Sequence, residues 1–446
     1  MTDLHSATEF LLARWILPVS GPAQENACLA IAGEKILGVI SRKEYEALPA
    51  NSKQGKSRDL GEAIILPGLI NLHTHLDYSA LKHFDNYSHF FSWIRNLIAQ
   101  SWQWDSKQWL LSANGGAREI IMSGTSLIAD SSYSGAAAKA VARNGLRGIV
   151  GLELFGIEEE DASRVFDEWL KKYEQFISDP DPSLQQALKS SRLRVTIAPH
   201  TPYSVCPALI SKALQWAKEK ELPMFIHISE SEAECRWIAS HDNDLDNFLK
   251  EAFRGDPPPL PWKGHGLSPV KHLEKHNLLS SNVLAAHLVQ INDADIQALA
   301  SHDVSAVHCP RSNSRLRNGV APLSKMAAAG LRIGFGTDSG ASTDDLNVLS
   351  EARFAWDLQR AVDKEFSESA EKAVYYLTLG AATALQMQAS VGSLESGKKS
   401  DFAVFSIKHL PEIARQRPHE CLIYGGAKLE DLVVNGVKLL GHGYIL

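Results

Sequence analysis

Five residues of types that bind metals stand at the ends of apolar runs. His73 and His75 close LINLHTH, His227 lies in PMFIHISE, His287 in NVLAAHL, and Asp338 follows LRIGFGT. Residues two apart on a strand point to the same side, so His73 and His75 can face one point. Imidazole nitrogens with a carboxylate oxygen suit Zn²⁺, and Fe²⁺ or Mn²⁺ with less selectivity. A lone histidine at a strand end is ordinarily a hydrogen-bonded polar residue, and the weight here comes from four runs that end alike. A divalent ion would act as a Lewis acid and bring the pKa of water to about 7, but hydrolysis also needs a proton shuttle. Glu230, three residues after His227, would leave its strand on the loop above the metal, where a carboxylate can take that proton. Its plain alternative is a solvated loop residue beside Glu232 and Glu234. His287 fits either a fourth histidine ligand or a group that orients the attacking water.

These residues need a scaffold that brings strand ends together. Between residues 66 and 390, short β-branched runs alternate with helical stretches. The runs are IILPGLINL, TSLIAD, LRGIVGLEL, LRVTIAP, PMFIHI, NVLAAHL, VSAVHC and LRIGFGT, and the stretches include 161–176, 206–221 and 370–386. This is the pattern of a (β/α)8 TIM barrel, an α/β fold whose active site lies at the C-terminal strand ends. Residues 1–65 and 391–446 read as short strands, with a type I′ hairpin signal at Asn435-Gly436, and predict a small β-sandwich built from both chain ends. The Pro- and Gly-rich stretch 254–270 reads as a loop insertion.

Composition narrows the partner. The chain has 446 residues, 44% hydrophobic and 22% charged, with a formal charge of -7. That balance offers no basic footprint for nucleic acid or for an anionic membrane surface, so a small-molecule substrate is expected. No run approaches the ~20 apolar residues of a membrane helix. Five scattered cysteines without a C-x-x-C pair suggest a reduced, cytoplasmic setting. A homodimer is compatible with the sequence, which does not fix the oligomeric state.

The motifs PGLINLHTHL, APHTPYS, HISESEAE, HCPRSN, GFGTDS and GSLESGKKSDFAVF together resemble the amidohydrolase superfamily, in its cytosine deaminase and chlorohydrolase-like branch. The resemblance implies a distorted (β/α)8 barrel with a flanking β-sandwich. It also implies one divalent metal, Zn²⁺ first and Fe²⁺ or Mn²⁺ otherwise, held by His73, His75, His227 and Asp338. Glu230 is then the proton shuttle, His287 polarises the attacking hydroxide or the carbon that bears the leaving amino group, and Asp338 helps protonate departing ammonia. The fourth strand carries APHTPYS where dinuclear members place a bridging residue, which implies a single metal.

The resemblance further suggests an aminated purine nucleoside as substrate. His200 matches the position that hydrogen-bonds a purine ring nitrogen in relatives, a turn cap being its plainer role. S-adenosylhomocysteine and methylthioadenosine deaminases hold the ribose with a glutamate where this chain has IAQSWQWDSK, without one. HTHLDYS, HFFSWIRNLI and HCPRSNSRL look more like aminodeoxyfutalosine deaminases of the alternative menaquinone pathway, whose substrate bears a benzoate. Arg95 or Arg311 would then pair with that carboxylate, unless Arg95 is an exposed helix residue and Arg311 a loop brace. Trp93, Trp102, Trp104 and Trp109 read first as packing between helices and the barrel, and second as a pocket wall. Guanine-type deaminases, triazine-type hydrolases and a non-catalytic scaffold are the alternatives.

Overall fold

The computed structural model describes residues 4–53, 56–85, 88–240, 245 and 266–446. Of the expected loop insertion, residues 254–265 lie outside the described residues, and Pro269 opens a helix, Pro269–Lys275, capped by Ser268.

Eight parallel strands follow one another in chain order: Leu69–His75, Thr125–Ser132, Arg147–Leu154, Leu193–Pro199, Met224–Ile228, Val283–His287, Ser305–His308 and Arg332–Phe335. The first four pair in sequence, as do the last four. Beyond the eighth strand, Asp338–Ser339 pairs with Thr74 and His75 of the first, which brings the aspartate beside the H-x-H pair. Between the fourth and fifth strands the His227 amide donates to the His200 carbonyl at 3.0 Å. Both faces of these strands are covered, which is why they read as solid apolar runs without alternation.

Helices such as Ala162–Ile177, Pro207–Glu219 and Val348–Val362 pack outside the strands. The single helix expected over 370–386 is divided into Ala370–Tyr376 and Leu379–Ala384. At the break, the amide of Ile70 in the first strand takes the Leu377 carbonyl at 2.9 Å. Thr378 adopts φ -135° and turns its hydroxyl back onto Val374 O at 2.6 Å. A tertiary hydrogen bond thus overrides a continuous helical pattern.

The β-rich ends join in one nine-stranded sheet, in which Ala63–Pro67 lies between Glu9–Ile16 and Phe402–Ser406. Glu9–Ile16 is buried on both sides: Leu11 and Ala13 pack with Leu29, Ile65 and Phe402, while Phe10 and Leu12 pack with Cys28 and Ala30. Asn435 and Gly436 turn the last hairpin with φ of 53° and 75°, the left-handed pair a type I′ turn requires. The run EAIILPGLI divides at Gly68, its first half in this sheet and its second in the barrel. A Cβ at Gly68 would collide with Oγ and Cβ of Ser126, so glycine lets the chain cross there. A buried ion pair bolts the two parts together. Arg147, opening the third barrel strand, donates to Asp401 at 2.6 and 3.1 Å, with side chains 5% and 3% exposed. Asp401 also accepts the Asn435 amide at 2.6 Å.

Candidate metal centre

The strand ends converge as the H-x-H spacing predicts. His75 Nε2 lies 3.2 Å from His227 Nε2 and 3.5 Å from Asp338 Oδ1, and His73 Nε2 lies 3.6 Å from the same oxygen. Tetrahedral ligands at bonds of about 2.1 Å stand about 3.4 Å apart, so these separations fit one shared ion. Among the described residues, His73 groups with His227 and His287, and with His75 and Asp338, all ligand atoms of each group lying within 4.8 Å of one another. His73 Nε2 is buried without a hydrogen-bond partner, as a nitrogen reserved for a ligand would be. His227 Nδ1 donates to the His200 carbonyl at 2.7 Å, which leaves Nε2 as the bare lone pair of a neutral ring. Burial, with neighbouring histidine charge, holds His227 well below the ordinary imidazole range and His75 at about 3, so both rings are neutral near pH 7, as ligation requires. His287 and Asp338 adopt φ of 76° and 59°, left-handed backbone that a packed surrounding must enforce.

Residues around the cage fix its orientation. Asp338 Oδ2 accepts from Ser312 Oγ at 2.6 Å and Ser342 Oγ at 2.8 Å, so Oδ1 is the oxygen presented to the histidines. His287 Nδ1 bonds Asn313 Oδ1 at 2.9 Å, and its Nε2 lies 3.7 Å from Glu230 Oε2. The other Glu230 oxygen accepts from Asn318 Nδ2 at 3.1 Å. Glu234 accepts the amides of Ser229 at 3.0 Å and Glu230 at 2.8 Å, which folds the loop so that Glu230 points inward. Burial, then repulsion from Asp338 and Glu234, pushes the Glu230 carboxyl well above the ordinary range, toward the proton affinity a shuttle needs. Glu230 is therefore buried over the cage and is not a solvated loop residue.

The remaining expected site residues separate. His200 lines the cavity above the cage, its Nδ1 bonded to Ser204 Oγ at 2.9 Å and its ring 5.1 Å from that of His227. Arg311 does not reach the cavity: it donates to Glu351 at 2.6 Å and to Asp345 at 2.9 Å, joining the helices Pro310–Arg315 and Val348–Val362. Arg95 is exposed on the helix Phe90–Ser101 and is not part of the lining. The four tryptophans, read first as packing, do line the cavity, together with Tyr78, Tyr133, Phe155 and Tyr203. Its volume is about 610 Å³, and among the described residues no lysine or arginine faces it. Ser312, Asn313, Asn318 and Ser342 carry no ligand spacing of their own, and neither does Glu153, which lines the cavity with Oε1 3.7 Å from His75 Nδ1. HCPRSN is the signal for the first two, whereas Glu153 sits inside an apolar run with no partner spacing to mark it.

The barrel and its cage define a class, proteins that seat a histidine and carboxylate set able to hold a metal ion, with a buried acid above it, at the C-terminal mouth of parallel strands. Residues 64–436 match the model of the Amidohydrolase family, and the chain belongs to that family. It is 30% identical over 433 residues to a 5-methylthioadenosine/S-adenosylhomocysteine deaminase of Thermoanaerobacter pseudethanolicus, covering 93% of this chain and 89% of that one. Among solved structures it is similar to a zinc-bound adenosine deaminase from Xanthomonas campestris, with TM-score 0.78, 22% identity and coverage of 99% and 94% of the two chains. It is also similar to the zinc complex of atrazine chlorohydrolase from Arthrobacter aurescens, with TM-score 0.79, 22% identity and coverage of 98% and 96%. No helix among the described residues is long and apolar enough to cross a membrane.

Proposed function

We propose that this chain is a metal-dependent hydrolytic deaminase of an aminated purine nucleoside. The observation that carries the reading is Glu230, buried and 3.7 Å from His287 Nε2, set over the histidine cage at the floor of an aromatic cavity. His73, His75, His227 and Asp338 would hold one ion, for which the donor set favours Zn²⁺ over Fe²⁺ or Mn²⁺. That ion supplies the Lewis acidity that makes water a nucleophile near neutral pH. The protein's own groups do the rest. Glu230 takes the water's proton and delivers it to the ring nitrogen beside the amino-bearing carbon. His287, its tautomer set by Asn313, directs Nε2 at the reacting centre. Asp338, anchored through Oδ2, takes the proton of the newly added hydroxyl and passes it to the amino group, so that the C–N bond breaks, ammonia leaves and the ring carbon becomes a carbonyl, while His200 grips the far ring edge.

The cavity wall also bears on the rest of the substrate. Among the described residues the lining is aromatic and carries no cation, which favours a flat base with an uncharged, apolar substituent, since a carboxylate would find no partner among them. The aminodeoxyfutalosine reading depended on Arg95 or Arg311 for its benzoate, and neither faces the cavity. A methylthioadenosine-like nucleoside therefore moves ahead of it, in keeping with the activity for which the relatives are named. The test is ammonia release by metal-loaded protein from methylthioadenosine, S-adenosylhomocysteine, adenosine, aminodeoxyfutalosine, guanine and a triazine. The highest kcat/KM is expected for methylthioadenosine. Turnover of the triazine alone, or of none, would refute the nucleoside reading.

A further inference from the structure

The histidines of the cage differ in what holds their far nitrogens. Nδ1 of His227 rests on the His200 carbonyl at 2.7 Å and Nδ1 of His287 on Asn313 Oδ1 at 2.9 Å. Nδ1 of His75 is buried with no hydrogen-bond partner, while its Nε2 faces His227 and Asp338. A neutral imidazole that ligates through Nε2 carries its proton on Nδ1, so metal binding turns this nitrogen into a buried donor that needs an acceptor.

One carboxylate is placed to accept it. Glu153 Oε1 lies 3.7 Å from His75 Nδ1, on the third barrel strand, with its side chain 5% exposed. That carboxylate accepts no hydrogen bond among the described residues, although its neighbours Asp77 and Asp130 each accept backbone amides. A buried donor without a partner is a costly arrangement, and this carboxylate, largely buried at the cavity wall, is placed to relieve it.

We propose that Glu153 is a positioning residue of the metal centre, accepting the Nδ1 proton of His75 so that the ring is held with Nε2 directed at the ion. The proposal rests on the metal-centre reading and not on the identity of the substrate. The contact would close by roughly 1 Å to reach a charge-assisted hydrogen bond, a shift within a tilt of the ring and a turn of the carboxyl. Carboxylates that accept from a ligating histidine raise its basicity and fix its tautomer, and their loss typically weakens metal binding about 10–100-fold.

The experiment compares wild type with Glu153→Leu, Glu153→Gln and Glu153→Asp. Zn²⁺ affinity is measured by competition with a chromophoric chelator, and the ligand field is read from the visible absorption of the Co²⁺-substituted protein. Glu153→Leu is expected to weaken Zn²⁺ about 10–100-fold and to change the Co²⁺ spectrum. Glu153→Gln keeps an oxygen that accepts the proton and is expected to bind within about threefold of wild type, with Glu153→Asp, its carboxylate drawn back by one methylene, weaker than Gln. If Glu153→Leu does not fold, the contrast between Gln and Asp, both checked by circular dichroism, decides. Unchanged affinity and spectrum in the folded variants would overturn the proposal, and so would an effect confined to KM, which would make Glu153 a substrate contact. Neither metal readout depends on deamination, so failure of the functional reading would leave this test intact.

Discussion

Glu230 has one oxygen on Asn318 and the other toward His287, so its carboxyl is held in place before substrate arrives. Glu230→Gln preserves the acceptor for Asn318 and the shape of the loop but cannot carry a proton. Turnover is expected to fall about 10²–10⁴-fold with metal stoichiometry unchanged. Full activity in the variant, with one metal bound, would remove Glu230 from the reaction. At this scale the sequence was legible wherever chemistry left a spacing: H-x-H at 73 and 75, and a glutamate three residues after His227. It was silent where a role arises only when distant strands meet. Ser312 and Ser342 orient Asp338 from two different connections, and the 78 positions that separate His75 from Glu153 leave no trace of their 3.7 Å approach.

The helices Phe90–Ser101 and Ser106–Met122 follow the first barrel strand and form much of the cavity wall. Trp104 stands edge-on to Trp109 at 4.9 Å between ring centroids, and Trp109 packs on Tyr78 at 5.5 Å and Tyr133 at 5.8 Å. Trp104 is only half-buried, so Trp104→Ala removes wall without emptying a core. KM is expected to rise about tenfold, near 1.4 kcal/mol, with kcat changed less than twofold. A fall in kcat at constant KM would mean that this wall does not bind substrate. Tryptophans at helical spacing are ambiguous in a sequence because packing on a barrel and walling a pocket demand the same apolar, half-covered surface. Placement in space separates the two, just as the amide of Ile70 divides a helix that residues 370–386 alone would continue.

The whole molecule depends on how the terminal sheet meets the barrel. Arg147 and Asp401 are 254 positions apart, and neither lies in a motif that marks it as an interface residue. The alternation of strands and helices and the β-rich ends were readable, because each is a local pattern. The bolt between them was not, since a buried ion pair has no periodicity. Among the described residues, Arg147→Ala would leave the buried Asp401 carboxylate with the Asn435 amide as its one hydrogen-bond donor. Removing one member of such a pair typically costs about 3–5 kcal/mol, which for a chain of this size is expected to appear as a lower Tm. The cage lies at the opposite, C-terminal ends of the strands, whereas Arg147 opens the third strand at its N-terminal end. Molecules that remain folded at low temperature are therefore expected to bind metal with wild-type affinity. Calorimetry and metal titration on the same sample separate the two properties. An unchanged Tm would deny the bolt its role in stability, and a weakened metal site in the folded protein would show that sheet and cage are coupled through the third strand, which also carries Glu153.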